Sequence, residues 1–168
     1  MQDFSCIYDL CLMVLRAFVQ NQPIKLSLIK SGMETLYAFM SWIPLVYIFT
    51  SDLIENVLLP LIEHQQLRNL SIKCLTEIIL INFQGSNPEE TKQFQEKMLI
   101  LYTGFISRIE KMLLSDISVF KEREKTIRTA PKSLTAFDNL CQNLTMFFTG
   151  VFQNHLPWIE NVAANPDN

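Results

Sequence analysis

The sequence predicts an all-α fold, and its composition, its helical periodicity and the spacing of its helix starts all support this. Only 4 Gly and 7 Pro occur in 168 residues, which leaves little room for the tight turns of an all-β fold. Apolar residues recur every three or four positions along most of the chain, the period of a helix buried on one face. Helix starts near 23 and 66 lie about 43 residues apart, within the HEAT/armadillo range of about 40–47. We therefore predict an α-solenoid of antiparallel HEAT-like helix pairs.

The first two predicted helices each carry one apolar stripe and are bounded by prolines. The first should cover about 3–20 and end at the turn before Pro23. The second follows Pro23, which is tolerated near a helix N-terminus, and its stripe ends at Ile43. Pro44 then predicts a break or a sharp kink, because proline cannot donate a helical hydrogen bond.

The next two helices are predicted over about 45–63 and 66–82. Pro60 should distort the last turn of the earlier one. A fifth helix has the clearest start: Asn87 suits the N-cap and Pro88 the first helical position. Its apolar stripe continues to about Ser115.

The C-terminal part of the chain is predicted to be less regular. Residues 116–132 carry a dense charge cluster without an apolar stripe, so we expect a solvated loop. A sixth helix should begin near Pro131, and a seventh should start after residue 156 and remain undeveloped. Residues 163–168 are expected to form a disordered tail. The whole chain, 1–168, should thus form one segment of about three helix pairs.

Composition argues against several classes of function. The formal net charge is −3, whereas a general nucleic-acid binder is usually basic, so no direct contact with nucleic acid is expected. The one membrane-like run, the charge-free stretch 35–51, is shorter than the roughly 20 residues of a membrane-spanning helix and contains a proline. The four cysteines form no C-x-x-C pair, so each is expected to be a small buried side chain in a reducing compartment.

Enzyme chemistry has little support in the sequence. There is no Gly-rich phosphate loop, H-E-x-x-H or G-x-S-x-G motif. The two histidines, His64 and His155, lie near predicted helix ends, where we expect them to be solvated. We predict no catalytic residues, no cofactor and no metal.

Two contiguous stretches resemble a known family. Residues 39–49 read FMSWIPLVYIF and residues 67–78 read LRNLSIKCLTEI. Both are similar to the patterns W-I-P-L-x-Y-I-F and F-R-N-x-S-L-K-C-L-T-E-I of the exportin branch of the karyopherin-β family. The Q-N-Q-P turn at 20–23 and the stretch 138–148 are also similar to that family. The resemblance is weaker between 84 and 132.

The resemblance implies a nuclear export receptor, a HEAT-repeat superhelix that binds Ran-GTP and leucine-rich export signals together. Such a receptor moves between nucleus and cytoplasm and passes nuclear pores by contacting nucleoporins. The chain would be an internal scaffold segment of it, with the export-signal groove in another part of the receptor. The alternative, which has the same composition and periodicity, is a HEAT/armadillo scaffold subunit of a kinase, phosphatase or coat assembly.

Candidate residues fall into two groups. The resemblance implies structural roles for the motif residues Trp42, Ile43, Pro44, Leu45, Arg68, Asn69, Lys73, Cys74 and Glu77. From the residues themselves, we expect Arg68 and Asn69 to bond carbonyls of the preceding turn rather than to contact a partner. Lys73 and Glu77 could form a modest pair, in the less favourable orientation with lysine first. Contact with acidic partner surfaces is a sharper hypothesis for the loop cations Lys121, Arg123, Lys125 and Arg128, for which a solvated loop is the simpler explanation.

Two further expectations concern apolar surface. Trp42, Tyr47, Phe49 and Trp158 could form a docking surface for Phe-Gly repeats, although core packing between helix pairs is the simpler explanation. Trp42 could also stabilise the corner between two helices. The apolar face of the first helix should be exposed, and a solenoid segment with exposed apolar ends should self-associate.

Overall fold

The computed structural model describes residues 2–81, 83, 87–115 and 136–164, and within them it contains helices and no strand. In chain order the elements are α1 Gln2–Val19, α2 Leu26–Met40, α3 Leu45–Thr50, a π-helical segment Leu53–Leu58, α4 Leu59–Leu61, α5 Arg68–Ile79, α6 Pro88–Ser115, α7 Ala136–Asn154 and α8 Leu156–Ala164. The expected loop at 116–132 and the expected helix start near Pro131 lie outside the described residues.

The helices form two layers. One layer holds α1, the run from α3 to α4, and α6; the other holds α2, α5 and α7, with α5 packed between its two neighbours. Successive helices within a layer run in the same direction. The N-terminal halves of α1 and α3 meet where Tyr8 packs on Tyr47, and Phe49 of α3 packs on Phe94 near the start of α6. Stacked pairs with one sense of direction confirm the all-α, HEAT-like solenoid.

The corner between α2 and α3 forms where the sequence predicts a break. α2 ends at Met40, and Pro44 occupies the N-cap of α3 with extended backbone angles (φ −62°, ψ 130°). Proline is compatible with this position because its fixed φ matches the cap and it has no N–H to satisfy.

The continuous helix expected over 45–63 is wrong. α3 ends at Thr50, and Ser51 adopts an extended conformation (φ −98°, ψ 167°). The hydroxyl of Tyr8 donates to the carbonyl of Tyr47 at 3.0 Å and lies 2.8 Å from the Ser51 hydroxyl. In an unbroken helix that carbonyl would accept the N–H of Ser51, so a contact from another helix replaces a local hydrogen bond.

Pro60 shapes the segment that follows. The N–H of Leu59 donates to the carbonyl of Ile54, five residues earlier, in the π-helical pattern. Because Pro60 has no N–H and its ring would crowd the carbonyl four residues before it, a wider turn here relieves the clash. The distortion expected at Pro60 is therefore present, upstream of the proline.

The ends of the later helices differ in how well the sequence predicts them. The fifth predicted helix matches α6, and the side-chain oxygen of Asn87 accepts the N–H of Glu90 at 2.8 Å, as expected for an N-cap. α8 extends to Ala164, so the seventh helix does develop and the first two residues of the expected tail are helical. Residues 165–168 lie outside the described part of the chain.

Aromatic stacking joins the third helix pair. The rings of Phe105 in α6 and Phe147 in α7 stack with centroids 3.7 Å apart, and both side chains are fully buried. Stacked aromatic pairs add to the free energy that area burial provides. The core is thus continuous across the three pairs.

The expectation that every cysteine is buried holds for two of the four. Cys11 and Cys74 are buried, whereas Cys6 and Cys141 are exposed. Neither exposed cysteine belongs to the apolar stripe of its helix, so the general tendency of cysteine to be buried did not decide their positions. All four thiols are free.

Candidate functional site

The corner at residues 42–45 presents an aromatic surface. Ile43 is buried, whereas Trp42 is 56% exposed. One side of the Trp42 ring is covered, because its centroid lies 4.9 Å from that of Phe39 and 5.2 Å from that of Phe4. The indole therefore supports the corner and remains accessible from solvent.

The other aromatic candidates are less accessible than Trp42. Tyr47, Phe49 and Trp158 are partly buried and pack against the core. Phe39 is also half-buried, so only Trp42 of this group is largely open to solvent.

The inward side of α5 completes the hydrogen bonding of the preceding turn. Arg68, 5% exposed, donates from Nε to the carbonyl of Ile62 at 3.0 Å, the kind of contact expected from the sequence. The hydroxyl of Ser71 donates to the carbonyl of Leu58 at 2.5 Å. In an α-helix the carbonyl of Leu58 would accept the N–H of Ile62, but that N–H bonds the carbonyl of Leu59 instead. The Ser71 hydroxyl therefore replaces the missing donor at Leu58.

Cys74 is packed into the interior beside these residues. Burial raises the pKa of the Cys74 thiol to about 12, opposite to what a reactive cysteine requires. Its role is therefore to fill space in the core.

The outward side of α5 carries the polar residues of the same motif. Lys73 and Glu77 do not form an ion pair, contrary to the expectation, although both are among the described residues. Asn69 does not bond the preceding turn: its side-chain oxygen accepts from Nδ2 of Asn143 at 3.2 Å, a contact from α7. Asn69, Lys73 and Glu77 are spaced four residues apart and therefore lie on one face of α5. That face packs against α7, and the two charged side chains do not pair with each other.

This face forms one wall of a groove of about 390 Å³ that crosses three helices. We call it the amide groove. Its lining includes Tyr37 from α2, the outward face of α5, and a row of α7 side chains, namely Asn139, Gln142, Asn143 and Met146. Burial raises the pKa of Tyr37, and the nearby Glu77 carboxylate raises it further. The sequence indicates the α5 wall only, because the other walls come from distant parts of the chain.

His155 was expected to be solvated, and this is wrong. It is 2% exposed, and its Nε2 lies 2.8 Å from the carbonyl of Ile79 at the end of α5. Nε1 of Trp158 donates to Nδ1 at 3.2 Å, which makes Nδ1 the acceptor and assigns the proton to Nε2. Burial lowers the pKa of His155, opposed by the hydrogen bond to Ile79. The side chain satisfies a terminal helix carbonyl, which periodicity cannot predict.

His64 differs from the expectation in a similar way. It is half-buried, and its ring packs edge-on against Phe18 with centroids 5.4 Å apart. It lines an open, partly apolar pocket between the end of α1 and the turn after α4.

Ion pairs connect helices of the other layer. Arg16 of α1 pairs with Asp52, Lys97 of α6 pairs with Glu55 at 2.5 Å, and Lys111 pairs with Glu63 at 3.1 Å. The hydrogen bond from Arg16 holds the pKa of Asp52 below its usual value. These contacts are structural, because each links α1 or α6 to the neighbouring stretch 52–63.

Within the described residues, no group of three or more His, Cys, Asp or Glu side chains could hold a metal ion. In the same part of the chain, no helix is long and apolar enough to cross a membrane. The candidate cations Lys121, Arg123, Lys125 and Arg128 lie outside the described residues.

Comparison with known proteins identifies the class. Residues 1–75 match the family model described as "Exportin 1-like protein". Exportin 1A of Arabidopsis thaliana is 33% identical over 159 residues, 95% of the chain and 13% of the relative. Exportin 1B of the same plant is 30% identical over 163 residues, 97% of the chain and 13% of the relative. Exportin-1 of Schizosaccharomyces pombe is 30% identical over 159 residues, again 95% and 13%.

These matches identify an α-solenoid of the exportin class. The chain belongs to the exportin 1-like family, and it spans about 13% of the length of the relatives it matches. The matched relatives favour this assignment over a scaffold subunit of a kinase, phosphatase or coat assembly.

Proposed function

We propose that this segment acts as a scaffold in a nuclear export receptor that carries leucine-rich export-signal cargo together with Ran-GTP. The receptor shuttles between nucleus and cytoplasm and contacts nucleoporins at the nuclear pore. The observation that carries the proposal is identity of 30–33% over 95–97% of the chain to exportin 1 proteins from a plant and a fission yeast.

The fold agrees with a scaffold role. A solenoid transmits the position of one repeat to the next through its nearest-neighbour packing. Here the buried Arg68 and Ser71 hydrogen bonds hold the two members of one helix pair together, and the ion pairs link one pair to the next. Such contacts fix the angle between repeats and so the curvature of a surface that wraps around a partner. Transport by binding and release, rather than catalysis, is the activity that follows.

A chimeric receptor tests the proposal. The aligned 159 residues of Schizosaccharomyces pombe exportin-1 are replaced by the aligned part of this chain. The chimera is expected to retain a leucine-rich export-signal peptide in the presence of Ran loaded with a non-hydrolysable GTP analogue, and to lose it with Ran-GDP. Fluorescence anisotropy of the labelled peptide measures both states.

Two controls make the result decisive. The same receptor with the segment deleted should form no such complex. Thermal unfolding of the chimera establishes that it folds. A folded chimera that binds the peptide equally with Ran-GTP and Ran-GDP, or does not bind it at all, would overturn the proposal.

A further inference from the structure

The amide groove has an unusual lining for a helix surface. Four of its residues carry side-chain amides: Asn69, Asn139, Gln142 and Asn143. Asn143 is 5% exposed and uses its Nδ2 to bond Asn69. Within the described residues, the amides of Asn139 and Gln142 are exposed and make no hydrogen bond to protein. The groove thus offers paired donors and acceptors above a rigid base.

These amides match the hydrogen-bonding groups of a peptide main chain. A side-chain amide carries one carbonyl oxygen and one NH₂ group, so it can accept a main-chain N–H and donate to a main-chain carbonyl at once. In a helical ligand those groups already bond one another, whereas in an extended segment they are unpaired. An amide lining therefore favours an extended ligand.

The size of the groove is compatible with such a segment. One residue of extended chain occupies about 160 Å³, taking a rise of about 3.3 Å, a width of about 4.8 Å and a thickness of about 10 Å. The volume of about 390 Å³ thus holds two to three residues, with the flanking residues outside. At the edge of the groove, the flexible side chain of Met146 is 53% exposed and can cover an apolar side chain of the ligand.

The charges in the groove argue against an anionic ligand. Lys73 is balanced by Glu77 on the next turn of α5. Binding of phosphates requires several cations acting together, so one lysine beside a carboxylate is a poor site for nucleic acid. A neutral polar ligand can bind in the amide groove without bringing a charge that the groove would leave unpaired.

We infer that the amide groove binds a short extended peptide segment of neutral sequence, held chiefly through main-chain hydrogen bonds to Asn139, Gln142 and Asn69. This site is independent of the export-signal function proposed above, because it uses neither Ran nor a leucine-rich signal. Recognition through the main chain makes it tolerant of the sequence of its ligand.

The test uses the 168-residue chain and a fluorescein-labelled, amidated octapeptide in which serine and valine alternate. Binding is measured by anisotropy, and the same peptide with N-methylated valines is the main-chain control. We expect saturable binding that weakens by about tenfold on N-methylation, because each missing N–H removes a hydrogen bond. The variant N139A/Q142A should weaken binding by a similar factor, since both side chains are exposed and their removal leaves the core intact.

Gln153→Ala is the matched control, an exposed amide on the same helix outside the groove, and it should bind like the parent. Circular dichroism of each variant checks that the fold is retained. Equal affinity for the N-methylated peptide, unchanged binding by N139A/Q142A, or no binding at millimolar peptide would overturn the inference. Tighter binding of an octathymidylate that depends on Lys73 would also overturn it, in favour of nucleic acid.

Discussion

At the scale of single residues, His155 couples the stability of the chain to pH. Its pKa in the folded state is lowered chiefly by burial, below the unfolded value of about 6.5. The unfolded chain therefore binds more protons just below pH 6.5, so the free energy of unfolding is greatest above that pH and decreases as the pH falls toward the folded pKa. We expect urea denaturation at pH 7.5, 6.5 and 5.5 to show this decrease.

The variant His155→Gln isolates the contribution of this side chain. It should lower the free energy of unfolding at pH 7.5 and remove most of the decrease between pH 6.5 and 5.5. His64→Gln, which changes the only other histidine, should retain the decrease. Asp52 does not affect the comparison between pH 7.5 and 5.5. Because its pKa is lowered in the folded state, its contribution to the free energy of unfolding is lost only as the pH falls below about 4. The same pH profile in H155Q and the parent chain would contradict the prediction.

A second residue-scale prediction compares two arginines in different surroundings. Arg68 is 5% exposed and bonds a main-chain carbonyl, whereas the Arg16 and Asp52 side chains are 41% and 34% exposed. Replacing Arg68 by Met keeps apolar volume but leaves that carbonyl without its charged donor, at a cost of about 1.5–3 kcal/mol. Arg16→Met should cost about 0–1 kcal/mol, as for other solvent-exposed pairs.

Urea denaturation of the two variants measures this difference directly. Equal losses in R68M and R16M would mean that the hydrogen bond to Ile62 contributes no more than a surface pair. The contact itself was foreseeable, since a tight turn between helices leaves carbonyls that need donors, and Arg68 follows that turn.

Two glycines within helices allow a sharp prediction at the scale of elements. A Cβ at Gly32 in α2 would meet no atom within 4 Å, whereas one at Gly150 in α7 would lie 2.9 Å from Cγ2 of the buried Ile79 in α5. Both positions gain about 1 kcal/mol of helix propensity on replacement by alanine. At Gly150 this is offset by overpacking of about 1–3 kcal/mol, because the methyl of a β-branched side chain cannot move aside freely.

Gly32→Ala should therefore raise the free energy of unfolding, and Gly150→Ala should give a chain about 1–3 kcal/mol less stable than G32A. Thermal and urea unfolding of the two variants provide the comparison, with the parent chain as reference. If G150A were as stable as G32A, α5 and α7 would have to separate without cost, and the close packing of these two helices would not limit stability.

The helices themselves show which parts of the fold periodicity can predict. The bounds of α1 and α6 agree closely with the sequence because each has a long apolar stripe, and α6 also has a capping residue, Asn87. The run from α3 to α4 was predicted as one helix because its apolar stripe is also continuous. The interruption after Thr50 depends on the hydroxyl of Tyr8, which belongs to α1 and lies about 40 residues earlier in the sequence. Local sequence carries no signal for such a contact.

At the scale of the whole molecule, the candidate site was only partly predictable. The α5 wall of the amide groove follows from helical spacing, since Asn69, Lys73 and Glu77 recur every four residues. Tyr37 and the α7 wall could not be assigned to it, because their approach depends on how the layers stack. The fold class was predictable from composition and periodicity, whereas a surface shared by three helices required the structure.

The surface of α1 leads to a prediction about assembly of the whole chain. Ile7, Leu10 and Met13 are 40%, 57% and 58% exposed and lie along one side of the helix. Solvent exposure of neighbouring apolar side chains favours association with another apolar surface. A stable interface buries about 1,600 Å² in total, far more than three side chains provide, so we expect weak, concentration-dependent self-association. Sedimentation velocity over a concentration series measures it.

The double variant L10K/M13K should give a sedimentation coefficient that does not change with concentration, because burying either ammonium group in the interface would be costly. Leu28→Lys is the matched control: Leu28 is 52% exposed on α2, outside the α1 face, and its replacement should leave self-association unchanged. A parent chain that sediments as a monomer at every concentration would exclude α1 as an association surface. If L28K and L10K/M13K reduced association equally, the association surface would not be confined to the α1 face.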